Sequence, residues 1–259
     1  MGPDISAVLI AYNEEDRIGG ALQSVAFAQE IIVVDGGSTD RTCEVAHAHG
    51  AKVIVRPFSD FGSQKQFALE QASGTWVLSL DADERISPAL AAEIQDVVSG
   101  GPEEVSGFLC PRRNHYLGRH IRHAGWWPDL NLRLVRRVRA RFSDHAVHES
   151  LEVDGAVGRL QGEIVHISHR TLSDHLRKVS LYSSLWAEQA RTRGLRAHWW
   201  DLVLRPLHHF VKRYLVHQGF RDGLPGLFLC TIGAFHVFFK YACLMEPSLS
   251  TLGPENEGQ

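Results

Sequence analysis

Cysteine is scarce in this chain, with four among 259 residues. Cys43, Cys110, Cys230 and Cys243 lie far apart and form no Cys-x-x-Cys pair. That spacing excludes a zinc finger or ribbon and predicts reduced thiols rather than a disulfide scaffold. Charge of one sign is lacking as well. The formal net charge is -3, so the molecule as a whole is not drawn to nucleic acid or to anionic lipid. Neither common nucleotide fingerprint is present: no Gly-x-Gly-x-x-Gly follows the first apolar run, and no loop ends in Gly-Lys-Ser/Thr. The start of the chain leads straight into a strand pattern, without the basic, apolar and small-residue order of a signal peptide. Internal repeats and a Pro/Gly-rich linker are also missing, and the expectation is a cytoplasmic chain.

What is present is the composition of an ordinary folded protein, 44% hydrophobic and 22% charged. The length allows one large domain, or one domain with an appendage. Acidic residues lead in the first hundred positions, whereas basic ones dominate over 112–141 and 191–221. Over 1–100, apolar runs at 5–10, 31–34, 53–55 and 76–80 alternate with helical spacing at 18–28, 39–49, 64–72 and 88–98. Ser87 is the expected N-cap of the last of these helices. Short, continuously apolar strands between helices predict an α/β fold with a doubly wound, mostly parallel sheet. From 107 to 169 the period becomes two, and 132–135 and 151–157 predict antiparallel strands added to that sheet. Residues 176–193 and 200–217 read as helices, followed by a mostly apolar stretch at 224–243. The expected organisation is a domain over 1–170, a helical extension over 171–246 and a flexible tail over 247–259.

Ligands of such sheets bind beyond the carboxyl ends of the strands, and acidic clusters fall there. Asp81-Ala82-Asp83 follows the fourth apolar run and precedes a polar stretch and a helix. Residues two apart in extended backbone point to one side, so both carboxylates can face one site and hold Mg2+ or Mn2+ shared with phosphate oxygens. The plain alternative is a solvated loop. Asp35-Gly36-Gly37-Ser38-Thr39-Asp40 could approach a nucleotide closely, or could be a turn in which Ser38 or Thr39 caps the next helix. Fifteen histidines invite a zinc reading, but His145/His148 and His166/His169 lack a supporting acid on a helix. One of His166 and His169 could instead complete a metal or phosphate site.

Four blocks together resemble one family. Ala7–Glu15, Ile32–Asp40, Gly62–Ala68 and Gly74–Glu84 are similar to the successive motifs of family 2 glycosyltransferases, which have a GT-A fold and bind nucleotide sugars. Gly125-Trp-Trp-Pro-Asp129, Arg133–Arg137 and Val147-His-Glu149 narrow the likeness to the lipopolysaccharide-core β-glucosyltransferase branch (WaaE/KdtX-like), as far as about Tyr241. The resemblance implies Ala11, Tyr12 and Glu14 as walls of the nucleoside pocket and Asp40 as the reader of the pyrimidine. It places Lys65 against the nucleotide or its phosphates, Asp81 near ribose or donor sugar, and Asp83 on the metal. Asp35 could hold the loop rather than touch ligand.

Inverting transfer needs a carboxylate to take the acceptor hydroxyl proton opposite the leaving diphosphate. Glu149 is the first candidate, with Asp144 and Asp129 behind it. The alternative for Glu149 is an ion pair with Arg133 or Arg137. Trp126, Trp127 and His148 are candidates for acceptor contacts, with core packing as the plain alternative for the tryptophans. Arg205, His209, Lys212 and His217 recur at nearly helical spacing, and Leu204, Leu207, Val211 and Leu215 follow a neighbouring stripe. A basic amphipathic helix followed by an apolar one suits peripheral contact with an anionic cytoplasmic leaflet, where a lipid-linked saccharide acceptor would reside. Packing against the domain or against another subunit is the alternative. A nucleotidyltransferase would instead carry a glycine- and cation-rich loop after the first strand. A non-catalytic sugar-nucleotide-binding protein would not need Asp83 or Glu149.

Overall fold

A computed structural model describes residues 4–100, 104–143 and 150–250, with side chains described as far as Glu246. Its elements, in order, begin with β1 (Ile5–Ala11), α1 (Glu15–Ser24), β2 (Glu30–Asp35), α2 (Thr42–Ala48), β3 (Lys52–Val55), α3 (Phe61–Gln71) and β4 (Trp76–Asp81). There follow β5 (Glu84–Ile86), α4 (Pro88–Gly100), β6 (Val105–Tyr116), β7 (Arg119–His120), β8 (Leu130–Arg136) and β9 (Ala140–Phe142). The last are β10 (Leu151–Val153), β11 (Ala156–Arg159), β12 (Ile164–His169), α5 (Leu172–Thr192), α6 (Asp201–Phe210) and α7 (Gly223–Ser250). Two compact units result. One holds the chain up to Arg113 with Pro128–Ile167; the other holds Asn114–Trp127 with the chain from Ser168 onward.

The first unit has the doubly wound core that the apolar runs predict, in the GT-A-like form that the family resemblance implies. The sheet order is β3-β2-β1-β4-β8-β6-β12-β5. The strands β3, β2, β1 and β4 run parallel, and β8 joins β4 antiparallel with Val77 opposite Val135. Strand alternation divides the apolar side chains between two layers. Ala7, Leu9, Val33 and Leu78 pack with Ile18 and Leu22 of α1 and Leu90 and Ile94 of α4. Val8, Ile32, Val34 and Val77 face the other way, onto Ala68 and Leu69 of α3. Both faces of β1 and β4 are therefore covered, and that is why these strands are mostly apolar, with Ser6 and Ser79 as buried polar exceptions. Ser87 Oγ accepts the Leu90 amide at 3.3 Å, as expected of the N-cap of α4.

Residues 151–157 depart from the expected single antiparallel strand. Leu151–Val153 pairs with β9 in a separate two-stranded ribbon, and Ala156–Arg159 runs parallel to β6, with a register shift at Ala156/Val157. Gly155 at φ +120° separates the two strands, a turn conformation that residues with a Cβ adopt poorly. The polar stretch after Asp83 is itself a strand, β5, paired antiparallel with β12 through Glu84 and His166.

In the second unit, Tyr116, at the end of β6, is fully buried with Ile121, Leu229 and Cys230. Thr171 caps α5 by accepting the Asp174 amide. The predicted helix over 200–217 is α6 continued by a π-helical turn, Val211–Val216. Helix α7 is, among the described residues, the one helix long and apolar enough to cross a membrane by length and composition.

Candidate active site

The carboxyl ends of three parallel strands meet in register, with Ala11 beside Asp35 and Ile10 beside Asp81. The loops that leave β1 and β2 are tied together by their side chains. Asn13 sits at φ +53°, a conformation asparagine tolerates better than most residues. Its amide donates to Ser38 Oγ and its Oδ1 accepts the Thr39 amide, both at 2.8 Å. The amides of Glu14 and Glu15, at the start of α1, donate to Thr42 Oγ1 (2.8 Å) and Asp40 Oδ2 (3.2 Å). Donors that a helix N-terminus leaves without intrahelical partners are satisfied in this way by the neighbouring loop.

Ser38 and Thr39 therefore serve this cross-loop network and do not cap α2, which starts only at Thr42. Asp35 is buried and accepts the amides of Gly37 and Ser38, so it holds the loop. Asp40 also accepts the Thr42 amide at 2.9 Å. Burial works against its charge, but bonds from the Thr42 hydroxyl and amide hold it below the usual carboxylate range. Tyr12 is exposed next to Gly36, where a ring face is open to a ligand.

A chain of alternating charges continues from Asp81. Lys65 Nζ lies 3.0 Å from Asp81 Oδ1, and Arg133 Nη2 donates to Asp81 Oδ2 at 2.9 Å. The same Nη2 reaches Glu84 Oε1 at 2.7 Å, Arg112 Nη1 reaches it at 3.0 Å, and Arg112 Nε donates to Asp129 Oδ2 at 2.8 Å. Asn131 Nδ2 donates to the other Asp129 oxygen at 2.9 Å. Three cations thus match three carboxylates, around a Glu84 that is fully buried. Burial opposes ionisation at Asp81, yet Lys65 and Arg133 hold its carboxyl far below the usual range. Burial likewise opposes the charge of Arg133, but Glu84 and Asp81 hold that guanidinium well above its ordinary value. Charge is locked in place here, as a pre-organised site requires.

Asp83 Oδ2 lies 3.5 Å from His166 Nε2. Among the described residues no group of three His, Cys, Asp or Glu side chains is placed to hold a metal. One carboxylate and one imidazole fit a divalent cation that takes its other ligands from diphosphate and water.

The sequence reading named Ala11, Tyr12, Glu14, Asp40, Lys65, Asp81 and Asp83, and all of them lie on these strand ends or on the loops and helices that adjoin them. Asp129 belongs to the same unit, but both its oxygens are engaged. Glu149, Asp144 and His148 lie outside the described residues. Of the alternative partners for Glu149, Arg133 is committed to Asp81 and Glu84, while Arg137 Nε donates to the Gly74 carbonyl. Trp126 and Trp127 belong to the second unit, packed edge-on against Tyr116 and His120 respectively. Sequence reasoning missed Glu84, Arg112 and the link from Arg133 to Asp81. An arginine inside the apolar run 132–135 was the available signal, because a charge on a buried strand needs a partner.

Residues 6–148 match the family model for glycosyl transferase family 2. The chain is 31% identical over 254 residues to the lipopolysaccharide core biosynthesis glycosyltransferase LpsC of Rhizobium meliloti, covering 93% of this chain and 92% of that protein. It is 31% identical to an uncharacterised glycosyltransferase of Rickettsia typhi, covering 95% and 88%. Among solved structures it is similar to mannosyl-3-phosphoglycerate synthase from Rubrobacter xylanophilus, with 20% identity over 74% of this chain and 75% of that one and a TM-score of 0.47. The chain belongs to glycosyltransferase family 2. It is an enzyme of glycosyl transfer, with a nucleotide sugar as donor.

Proposed function

We propose that this enzyme transfers a hexose, glucose in the first instance, from a UDP-sugar to a lipid-linked saccharide of the lipopolysaccharide inner-core type, with inversion to a β-linkage. The observation that carries the reading is the joined set of strand ends: an exposed Tyr12 and the Asp40 loop on one side, Lys65–Asp81–Arg133 in the middle, and Asp83 with His166 beyond. Tyr12, Ala11, Glu14 and Asp40 would bind the nucleoside, and Lys65 and Asp81 would orient diphosphate and donor sugar. Asp83, with His166 beside it, would hold Mg2+ or Mn2+, which when bound neutralises charge gathering on the leaving diphosphate. Glu149 is assigned as the base that takes the acceptor hydroxyl proton. Asp144 is its alternate, and Asp129, with both oxygens engaged, serves as scaffold.

The LpsC relative supports the lipopolysaccharide acceptor. The second reading is a different polysaccharide or a glycoprotein acceptor, with which membership of family 2 is equally compatible. In either case residues 1–170 carry donor binding and catalysis, and 171–246 form the helical extension. Peripheral attachment to the cytoplasmic face of the inner membrane belongs to the same proposal. Its support is the exposed stripe Leu204, Leu207, Val211 and Leu215, together with the apolar α7. A panel of UDP-sugars against lipid A–core and unrelated saccharide acceptors tests the reading. UDP-glucose with a core acceptor should give the fastest transfer. Transfer confined to a non-lipid acceptor would establish the second reading instead.

A further inference from the structure

Within the second unit lies a cavity of about 360 Å³ that the transfer reaction does not account for. Its wall carries Arg213, Lys240, His175, His209 and His236, and no carboxylate. Helix α7 is apolar over most of its length, yet His236 and Lys240, one turn apart and so on one face, both turn to this space. Glycine at 233 lets the wall close up, because a Cβ there would come 2.9 Å from His209 Nε2.

The cations are anchored without being neutralised. Arg213 Nη1 donates to the Ala124 carbonyl at 2.6 Å, and Lys240 Nζ lies 4.5 Å from the centre of the Trp186 ring. Neither makes an ion pair among the described residues. The nearby acids are engaged elsewhere, Asp222 with His123 and Asp201 with Arg205. His175 is buried, with Nδ1 bonded to the Tyr116 hydroxyl at 2.9 Å and its ring stacked on His169. Burial first, and then His236 and Lys178, push His175 down to about 4. Burial, Arg213 and His236 do the same to His209, also to about 4. Burial is the larger cause of both shifts, and the neighbouring positive groups add to it.

We propose that this cavity is an anion site that takes a phosphoryl group, free or at the head of a lipid. An arginine, a lysine and three imidazoles around a ligand-sized space match a group with several charged oxygens better than a single carboxylate. The proposal does not rest on the donor, acceptor or metal assigned above.

Calorimetric titration of the full-length protein with inorganic phosphate is the test. Saturable binding is expected, weakened about ten-fold or more in Lys240→Met and in Arg213→Gln. Lys240→Met keeps the apolar stem and breaks no hydrogen bond, so it serves if Arg213→Gln, which loses the Ala124 contact, fails to fold. Phosphate held in the donor site would be indifferent to both substitutions. Sedimentation with phosphatidylcholine vesicles, with and without phosphatidic acid, then separates the sources. Phosphatidic acid-dependent binding that phosphate competes away and Lys240→Met abolishes assigns a lipid headgroup; vesicle binding untouched by either assigns a soluble phosphoryl ligand. No saturable phosphate binding, or equal binding by wild type and folded Lys240→Met, would overturn the site.

Discussion

The two units bury charge in opposite ways. In the first, Lys65, Arg133 and Arg112 are each matched by Asp81, Glu84 or Asp129, so the network is neutral and rigid. In the second, Arg213, Lys240 and three histidines gather around a cavity that holds no acid. A matched network fixes the position of groups that must meet a substrate, and its own charges are already stabilised before anything binds. An unmatched one leaves part of its stabilisation to a ligand. The same residue types therefore serve as scaffold in one place and as receptor in the other.

The largest effect that separates scaffold from chemistry is expected at Glu149. Glu149→Gln should lower transfer about 10²- to 10⁴-fold while UDP affinity stays within a few-fold, because it removes proton abstraction and no donor contact. Steady-state rates and a UDP titration on the same preparation check this. Near-normal turnover would move the base to Asp144. Next in size is the matched network itself. Arg133→Met leaves Glu84 and Asp81 short of a partner in a buried setting and should cost about 3–5 kcal/mol in denaturant unfolding. A loss below about 1 kcal/mol would mean that the first unit's charges are not a structural unit.

The last comparison concerns the unmatched cavity. His175 and His209 titrate near 4 when folded, against about 6.5 for a free imidazole. The unfolded chain then binds more protons between those values, so stability is full above about pH 6.5 and falls as pH drops toward 4. Thermal melts in a phosphate-free buffer should show that slope, and His175→Phe should flatten it. A melting temperature level from pH 7 to 4.5 would contradict the account of this cavity.

Much of the first unit was legible in the sequence, since strands covered on both faces are apolar at most positions. The runs ending at Ala11, Asp35 and Asp81 state this directly, and the polar residues after them mark where ligands bind. Glu84 was not legible, because β5 is three residues long and its partners Arg112 and Arg133 are 28 and 49 positions away. Asp40 was read along the chain and Thr42 was not singled out, whereas their bonds to the amides of Glu15 and Glu14 run between loops 25 and 28 residues apart. The cavity of the second unit was hidden for a similar reason. His236 and Lys240 read as flaws in an apolar helix until Arg213 and His175 are placed opposite them.

The central claim is that the strand ends of the first unit form a donor site in which Asp83 holds a divalent cation against the diphosphate. Calorimetric titration of UDP with and without Mn2+, on wild type and on Asp83→Asn, tests it most directly. The account predicts that Mn2+ tightens UDP binding at least ten-fold in wild type and has little effect in Asp83→Asn. Equal binding with and without Mn2+, or an unchanged response to Mn2+ in Asp83→Asn, would contradict it.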